Sequence, residues 1–268
     1  MSLTAPISRA VDVIRGQPVV VVPFAAFIVL TTILALGSVL GPAAAAGFGI
    51  IDFIVSIVGG VLLAGMYIDM ARQGARGKVS LNAAWEVAVS RFWQLLLLEI
   101  IIAVIFIVIA LVIAAGSGVF SQLSTLLPLI TSNTLANQSS ISTLAPVLAR
   151  LGEFLVLLII VMVVVSIFLY QANVVVVLEK RSATDALNRS IEIGKKNFFS
   201  ILLFFILIFI LSLIFFIIFG LLSRIPIIGV VILLVAEMFF SAWVAMLPTM
   251  FYFEYAAPAA RKTGKSGK

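Results

Sequence analysis

Six long runs of apolar residues dominate the hydrophobic pattern of the chain, and short polar stretches separate them. At 1.5 Å per residue, a run of about 22 residues extends roughly 33 Å, which is enough to cross the hydrocarbon core of a bilayer. The pattern therefore predicts an all-α integral membrane protein with six transmembrane helices. The predicted spans are residues 19–40, 48–70, 94–116, 153–178, 198–222 and 226–253.

The composition favours the same class. Of the 268 residues, 63% are hydrophobic and only 10% are charged, whereas a soluble domain carries about 25% charged residues. A transmembrane β-barrel would show short segments of alternating polarity, and the sequence has none. The helical class of membrane proteins is therefore the expectation.

Basic residues predict the orientation of the helices. Those on one side of the predicted membrane are Arg9, Arg15, Arg72, Arg76, Lys78, Arg91, Lys180, Arg181, Arg189, Lys195, Lys196, Arg261, Lys262, Lys265 and Lys268. The other side has only Arg150 and Arg224. Because cytoplasmic loops are enriched in Lys and Arg, we predict a cell-membrane protein with both termini in the cytoplasm. The net charge of +6 then indicates contact with anionic membrane lipids and not nucleic-acid binding.

One charged segment, residues 182–196, interrupts the apolar pattern. Small and apolar residues recur in it at three- and four-residue steps, which predicts an amphipathic helix resting on the cytoplasmic membrane surface. The charged residues of this predicted interfacial helix are Asp185, Arg189, Glu192, Lys195 and Lys196. We expect ion pairs between Asp185 and Arg189 and between Glu192 and Lys196, and a capping interaction between Ser182 and Asp185. A soluble cytoplasmic partner could dock on this helix; the alternative is a solvated face that touches only lipid.

Similar segments occur at two other places in the chain. The segment "SLTAPISRAV" from Ser2 matches "SLNAAWEVAV" from Ser80 at five of ten positions, and "RAVDVIRGQP" from Arg9 resembles "RSIEIGKKNF" from Arg189. We therefore predict three parallel repeats, each an amphipathic cytoplasmic helix followed by a transmembrane hairpin. The alternative is that basic runs preceding membrane spans look alike by chance. The repeats are residues 2–70, 80–178 and 182–255, within one membrane domain (1–255) that a basic cytoplasmic tail (256–268) follows.

The segment "VVVVLEKRSATDALNRSIEIGKKNFFSILLF" resembles a known family. It is similar to the membrane domain fused to some glycerophosphodiester phosphodiesterases, and to related six-span prokaryotic membrane proteins of unassigned function. In these proteins a span ends in Glu, and a helix with the pattern Ala-Leu-x-x-Ser leads into the next span. The matching residues are Glu179, Ala186, Leu187, Arg189 and Ser190, with Phe198 and Phe199 at the entry to the next span. Because the phosphodiesterase domain has no counterpart in this sequence, the resemblance implies six spans and no activity.

The residues that most enzymes use for chemistry are scarce. The chain has no cysteine and no histidine, which removes the commonest metal ligands and the commonest general base. Paired carboxylates at catalytic spacing and Gly-rich phosphate loops are also missing from the sequence. We therefore expect no enzymatic activity, no metal and no cofactor.

A few polar residues within or beside the spans are candidates for function. Burying a charge in the membrane costs about 2.5–3.5 kcal/mol on insertion scales, so a carboxylate within a span is a candidate for binding a cation or a proton. Two carboxylates qualify: Glu237, near the middle of the last span, and Glu99, early in the third. The alternative is a protonated carboxyl bonded to a neighbour or to another subunit. Gln171 and Asn173 are expected to hydrogen-bond between helices. Asn137 begins a glycosylation sequon in the outer loop 117–149, although an unmodified polar loop is the alternative.

These observations favour a non-enzymatic multi-pass protein that acts in transport or membrane organisation. The alternative is a permease subunit driven by a separate cytoplasmic ATPase, which would dock on the helix 182–196. A secondary transporter that uses Glu99 and Glu237 also stays open. A lipid-modifying enzyme is disfavoured by the missing catalytic groups.

Overall fold

The computed structural model describes residues 4–37, 42–119, 138–222, 225 and 228–256, and the regular secondary structure in these ranges is helical. The helices are α1 (Ala5–Gly16), α2 (Val22–Gly37), α3 (Pro42–Gly74), α4 (Leu81–Ser117), α5 (Gln138–Leu169), α6 (Ala172–Leu178), α7 (Ala183–Leu222) and α8 (Ile228–Phe251). A 3₁₀ turn (Pro18–Val21) precedes α2, and a π-helical turn (Tyr252–Ala256) follows α8.

Among the described residues, six helical stretches are long and apolar enough to cross a membrane, and each overlaps one predicted span. They are Pro18–Gly37, Ala45–Gly74, Leu81–Ser117, Leu148–Leu178, Ala183–Leu222 and Val231–Ala256. Large apolar side chains such as Phe53, Phe209 and Phe216 are about two-thirds exposed on these helices. Such surfaces suit hydrocarbon and not water, so the chain fits a multi-pass membrane protein, as predicted.

The helices differ from the prediction in how the charged segments join the spans. The segment from Ser80 continues without a break into the third span as α4, because neither Gly nor Pro interrupts residues 81–115. The segment 182–196 joins the fifth span in α7, where Asn197 has non-helical angles (φ −120°, ψ 21°). There the Asn197 side-chain amide donates to the Ile193 carbonyl at 3.0 Å, which competes with the helical hydrogen-bond ladder.

The N-terminal segment forms the separate helix α1, which ends at Gln17 (φ −146°, ψ 78°). Pro18 follows and has no N–H to continue the helix. The Tyr67 hydroxyl of α3 stabilises the 3₁₀ turn beyond it, since it donates to the Val20 carbonyl at 2.8 Å and accepts from the Phe24 N–H at 3.3 Å. The entry into the first span is therefore fixed by a buried tyrosine from the second.

Part of the segment predicted as an outer loop is helical. Residues 138–149, expected in the loop, form the first three turns of α5. Asn137 and the preceding loop residues 120–136 lie outside the described residues, as does the tail beyond Ala256. The glycosylation site therefore stays a prediction.

Two compact units make up the chain. Unit 1 comprises Met1–Leu98 and Phe168–Lys268, and unit 2 comprises Glu99–Ile167. In unit 1, α3 packs against α2, α6 and α8, and α1 packs against α8. A Cβ atom on Gly65 of α3 would lie 3.0 Å from the Ala88 Cα of α4, so glycine permits these two helices to touch backbone to backbone. The prediction of one membrane domain stays a prediction.

Candidate functional site

A carboxylate at the end of α6 links three parts of unit 1. Glu179 Oε1 accepts a hydrogen bond from the Tyr252 hydroxyl at 2.6 Å, and its Oε2 lies 2.7 Å from Arg181 Nε. Arg189 Nε lies 3.5 Å from Glu179 Oε1, and Arg189 Nη1 lies 3.0 Å from Glu192 Oε2. We call Glu179, Arg181, Arg189, Glu192 and Tyr252 the Glu179 cluster. The Glu179 side chain is only 18% exposed, so its attractions are less screened than those of a surface pair.

A tight chain reversal positions the Glu179 cluster. Lys180 adopts the left-handed conformation (φ 58°), which turns the chain from α6 towards α7. Ser182 then begins α7: its Oγ accepts from the Asp185 N–H at 3.3 Å and donates to Asp185 Oδ2 at 2.7 Å. This is the capping interaction that the sequence predicted. The Gln94 side chain of α4 accepts from the Ala183 N–H at 3.0 Å, which holds the turn against a third helix.

Two ion pairs predicted along α7 are replaced by others. Arg189 pairs with Glu179 and Glu192, and not with Asp185; Glu192 pairs with Arg189, and not with Lys196. The reason is the chain reversal, which brings the largely buried Glu179 within reach of Arg189. The predicted pairs rested on helix spacing alone. Asp185, Lys195 and Lys196 are exposed.

The fourth span is broken next to this cluster. The helix stops between α5 and α6, at Tyr170 and Gln171. The Ser190 hydroxyl of α7 bridges the break, since it donates to the Phe168 carbonyl at 2.7 Å and accepts from the Gln171 N–H at 3.1 Å. Ser190 is 1% exposed. A side chain from a neighbouring helix thus satisfies backbone groups that a membrane would otherwise leave unpaired.

The side chains at the break are buried and polar. Gln171 is 1% exposed, and neither Nε2 nor Oε1 has a hydrogen-bond partner among the described residues. The Tyr170 hydroxyl also lacks one, and its ring packs against Phe204, Phe205 and Phe251. Each unsatisfied buried group costs about 1–3 kcal/mol. The sequence indicated that Gln171 bonds between helices; only its backbone N–H does so here.

Further polar contacts lie at the same end of unit 1. Asp69 is fully buried on α3 and forms an ion pair with Arg72 and a hydrogen bond with Gln73. Arg9 of α1 lies 2.9 Å from Glu254, in the turn that follows α8. These pairs and the Glu179 cluster place Arg9 of α1, Arg72 of α3 and Arg189 of α7 next to acidic residues. We call this end of unit 1 the basic end.

Comparison with known proteins identifies the family. The sequence model of the family described as "Domain of unknown function (DUF7847)" matches residues 1–261. The chain belongs to the DUF7847 family. No curated protein and no solved structure matches it. These comparisons show no relationship to glycerophosphodiester phosphodiesterases.

The two intramembrane carboxylates of this DUF7847 chain lie in different units. Glu237 is exposed on α8 in unit 1 and has no ion pair or hydrogen bond within the described part of the chain, Ser241 included. Glu99 is partly buried on α4 and belongs to unit 2. Among the described residues, no group of three acidic side chains could hold a metal ion. Their roles as ion or proton sites stay predictions.

Proposed function

We propose that this chain is a non-enzymatic protein of the cell membrane that acts in transport, with the break between α5 and α6 as its solute site. One observation supports this proposal above the others: Gln171 is buried in a membrane-spanning segment with both amide atoms unpaired. Transporters place substrate sites at discontinuous membrane helices, where polar groups and freed backbone meet. A purely structural glutamine would be expected to have a partner.

The chemistry of the break favours a neutral solute. The Gln171 amide offers donors and an acceptor, and the neighbouring Tyr170 adds a hydroxyl. The rings around Tyr170 belong to phenylalanines and bring no charge. A small molecule with hydroxyl or amide groups would satisfy Gln171 without the desolvation that an ion requires.

We also propose the three-repeat organisation for this fold. Under the sequence alignment of the three segments, Ala10, Ala88 and Ser190 are equivalent, and their exposures are 0%, 0% and 1%. Four residues earlier the equivalent positions are Pro6, Ala84 and Ala186, which are also buried. Chance similarity among basic segments would not require the same two positions to be buried in each.

Two further equivalences support the repeats. Asp69 and Gln171 are both fully buried polar residues, and each lies eleven residues before the serine, Ser80 or Ser182, that starts the next unit. The helix also departs from regular geometry at two aligned residues, Gln17 and Asn197. In this arrangement the counterpart of Gln171 in the first repeat is Asp69, whose charge is paired with Arg72.

The proposal also includes the orientation of the chain in the membrane and a cytoplasmic binding partner. The positive-inside rule places the basic end and both termini in the cytoplasm. There the exposed side chains of Asp185, Lys195 and Lys196 would face a soluble partner. Because these side chains take no part in the Glu179 cluster, they favour a second candidate function, a permease subunit on whose α7 an ATPase docks.

Complementation tests the transport proposal. Cells that lack the protein would receive wild type, Gln171→Leu or the control Thr32→Val, which removes an exposed hydroxyl on α2. At equal membrane abundance, we expect the deletion to change the cellular level of a neutral polar solute. Thr32→Val should restore that level, and Gln171→Leu should not.

Three results would contradict parts of the proposal. Full restoration of the solute level by Gln171→Leu would show that Gln171 does not form a solute site. New or missing lipid structures in the deletion strain, with unchanged solutes, would indicate an enzyme. Native mass spectrometry of protein gently extracted from its own membranes addresses the alternative, because a co-purifying soluble ATPase would favour the permease subunit.

A further inference from the structure

A groove of about 590 Å³ opens between α7 and α8 in unit 1, and the end of α1 lies at its mouth. Its walls are almost entirely apolar. The residues that matter for its chemistry are Ile14, Arg15, Phe215, Phe219, Phe240 and Trp243. We call it the α7–α8 groove.

The groove runs from the basic end into the membrane. Phe215 of α7 stacks on Phe240 of α8, with ring centroids 4.2 Å apart. Phe240 lies eleven residues before Phe251, the last residue of α8, which places it about 16 Å along the helix from that end. Phe215 lies 18 residues beyond Asn197, about 27 Å along α7. The aromatic residues of the groove therefore lie within the depth of the hydrocarbon core. A hydrocarbon chain is the kind of group that such aromatic walls accept.

The polar groups of the groove are both donors. Arg15 is exposed and has no ion pair among the described residues, whereas Arg9 on the same helix pairs with Glu254. Trp243 Nε1 is buried and has no hydrogen-bond partner in the described part of the chain. A free guanidinium at the mouth of an apolar groove matches the charge of a phosphodiester above an acyl chain.

We propose that the α7–α8 groove binds one anionic phospholipid, with its phosphate at Arg15 and one hydrocarbon chain beside Phe215 and Trp243. A zwitterionic lipid fits the groove less well, because its ammonium group would share the mouth with the guanidinium. This inference does not depend on transport at Gln171, since the groove and the break have no lining residue in common.

Fluorescence quenching tests the proposal on the full chain in vesicles. The chain has three tryptophans, so Trp85→Phe with Trp93→Phe leaves Trp243 as the only reporter. Brominated phosphatidylglycerol or brominated phosphatidylcholine is added to phosphatidylcholine vesicles. We expect the anionic lipid to quench Trp243 with an apparent association constant about fivefold higher, the preference that one arginine near an anionic headgroup provides.

Three variants in that background assign the preference to the groove. Arg15→Gln should reduce the fivefold ratio to about one, whereas Arg76→Gln, which removes an exposed arginine outside the groove, should leave it unchanged. Ala236→Phe fills the groove while Arg15 is kept, and should weaken quenching by the anionic lipid. Ala236→Phe keeps the proposal testable if Arg15→Gln does not fold.

Several outcomes would overturn the proposal. Equal quenching by the two lipids would mean that the groove holds only bulk lipid. A preference that survives Arg15→Gln but falls in Arg76→Gln would reflect the charge of the whole basic end. Absence of quenching by either lipid would mean that protein, such as a second copy of the chain, covers the groove.

Discussion

Replacing Ser190 by alanine removes the single oxygen atom that bridges the break in the fourth span. The hydroxyl donates to the Phe168 carbonyl and accepts from the Gln171 N–H, at 2.7 and 3.1 Å. Alanine fits the space, because it lacks only the hydroxyl oxygen of serine and fills no more volume. The substitution therefore removes hydrogen bonds without steric conflict.

The magnitude follows from these two contacts. Hydrogen bonds between membrane helices contribute about 0.6 kcal/mol on average and up to about 1.7 kcal/mol, and an unsatisfied buried group costs about 1–3 kcal/mol. For two contacts with Ser190 at 1% exposure, we expect Ser190→Ala to lower the free energy of unfolding by about 1–3 kcal/mol. A mixed-micelle denaturant titration would measure it.

The control is Ser90→Ala, which removes an exposed hydroxyl that bonds only to its own helix, at the Val87 carbonyl. We expect a change within about 0.5 kcal/mol. Hydrogen exchange adds a local measurement, since the Gln171 amide should lose protection in Ser190→Ala. If Ser190→Ala and Ser90→Ala change stability equally, and Gln171 keeps its protection, the hydroxyl does not hold the break.

Two further substitutions test the packing and the charges of unit 1. Glu179→Gln removes the carboxylate of the Glu179 cluster and should lower the free energy of unfolding by about 1 kcal/mol, and by less at high salt, whereas the exposed control Glu86→Gln should leave it unchanged. Thermal unfolding at two ionic strengths measures the stability of both variants. Equal shifts in the two variants would contradict a stabilising role for the cluster. Gly65→Ala places a methyl 3.0 Å from the Ala88 Cα and should destabilise by about 1–3 kcal/mol. Gly60→Ala meets no atom within 4 Å and should be neutral or stabilising; a larger loss in Gly60→Ala than in Gly65→Ala would refute the close approach of α3 and α4.

The spans could be predicted from sequence because the bilayer imposes one length on every helix that crosses it. Local chemistry also predicted the cap at Ser182. The break at Tyr170 and Gln171 could not be predicted in this way. Neither Gly nor Pro marks it, and its hydrogen bonds come from Ser190, nineteen residues beyond Gln171.

The candidate site was only partly visible in the sequence for the same reason. Arg189 and Glu192 stood out as charged, but helix spacing suggested partners along α7, whereas Arg189 pairs with Glu179 across a chain reversal. Glu237 stood out as a carboxylate within a span, and it lies exposed on α8. Burial and pairing depend on tertiary contacts that residue spacing does not contain.

Thiol accessibility at the break tests the central claim most directly. The chain has no cysteine, so Gln171→Cys carries a single thiol at the proposed solute site, and Leu98→Cys places one at another fully buried position. Lys78→Cys, on an exposed loop, serves as the positive control. If the break is a solute site, a membrane-impermeant thiol reagent should modify Gln171→Cys in vesicles while Leu98→Cys stays unmodified. If Gln171→Cys is as unreactive as Leu98→Cys while Lys78→Cys reacts, water does not reach the break and the transport account is contradicted.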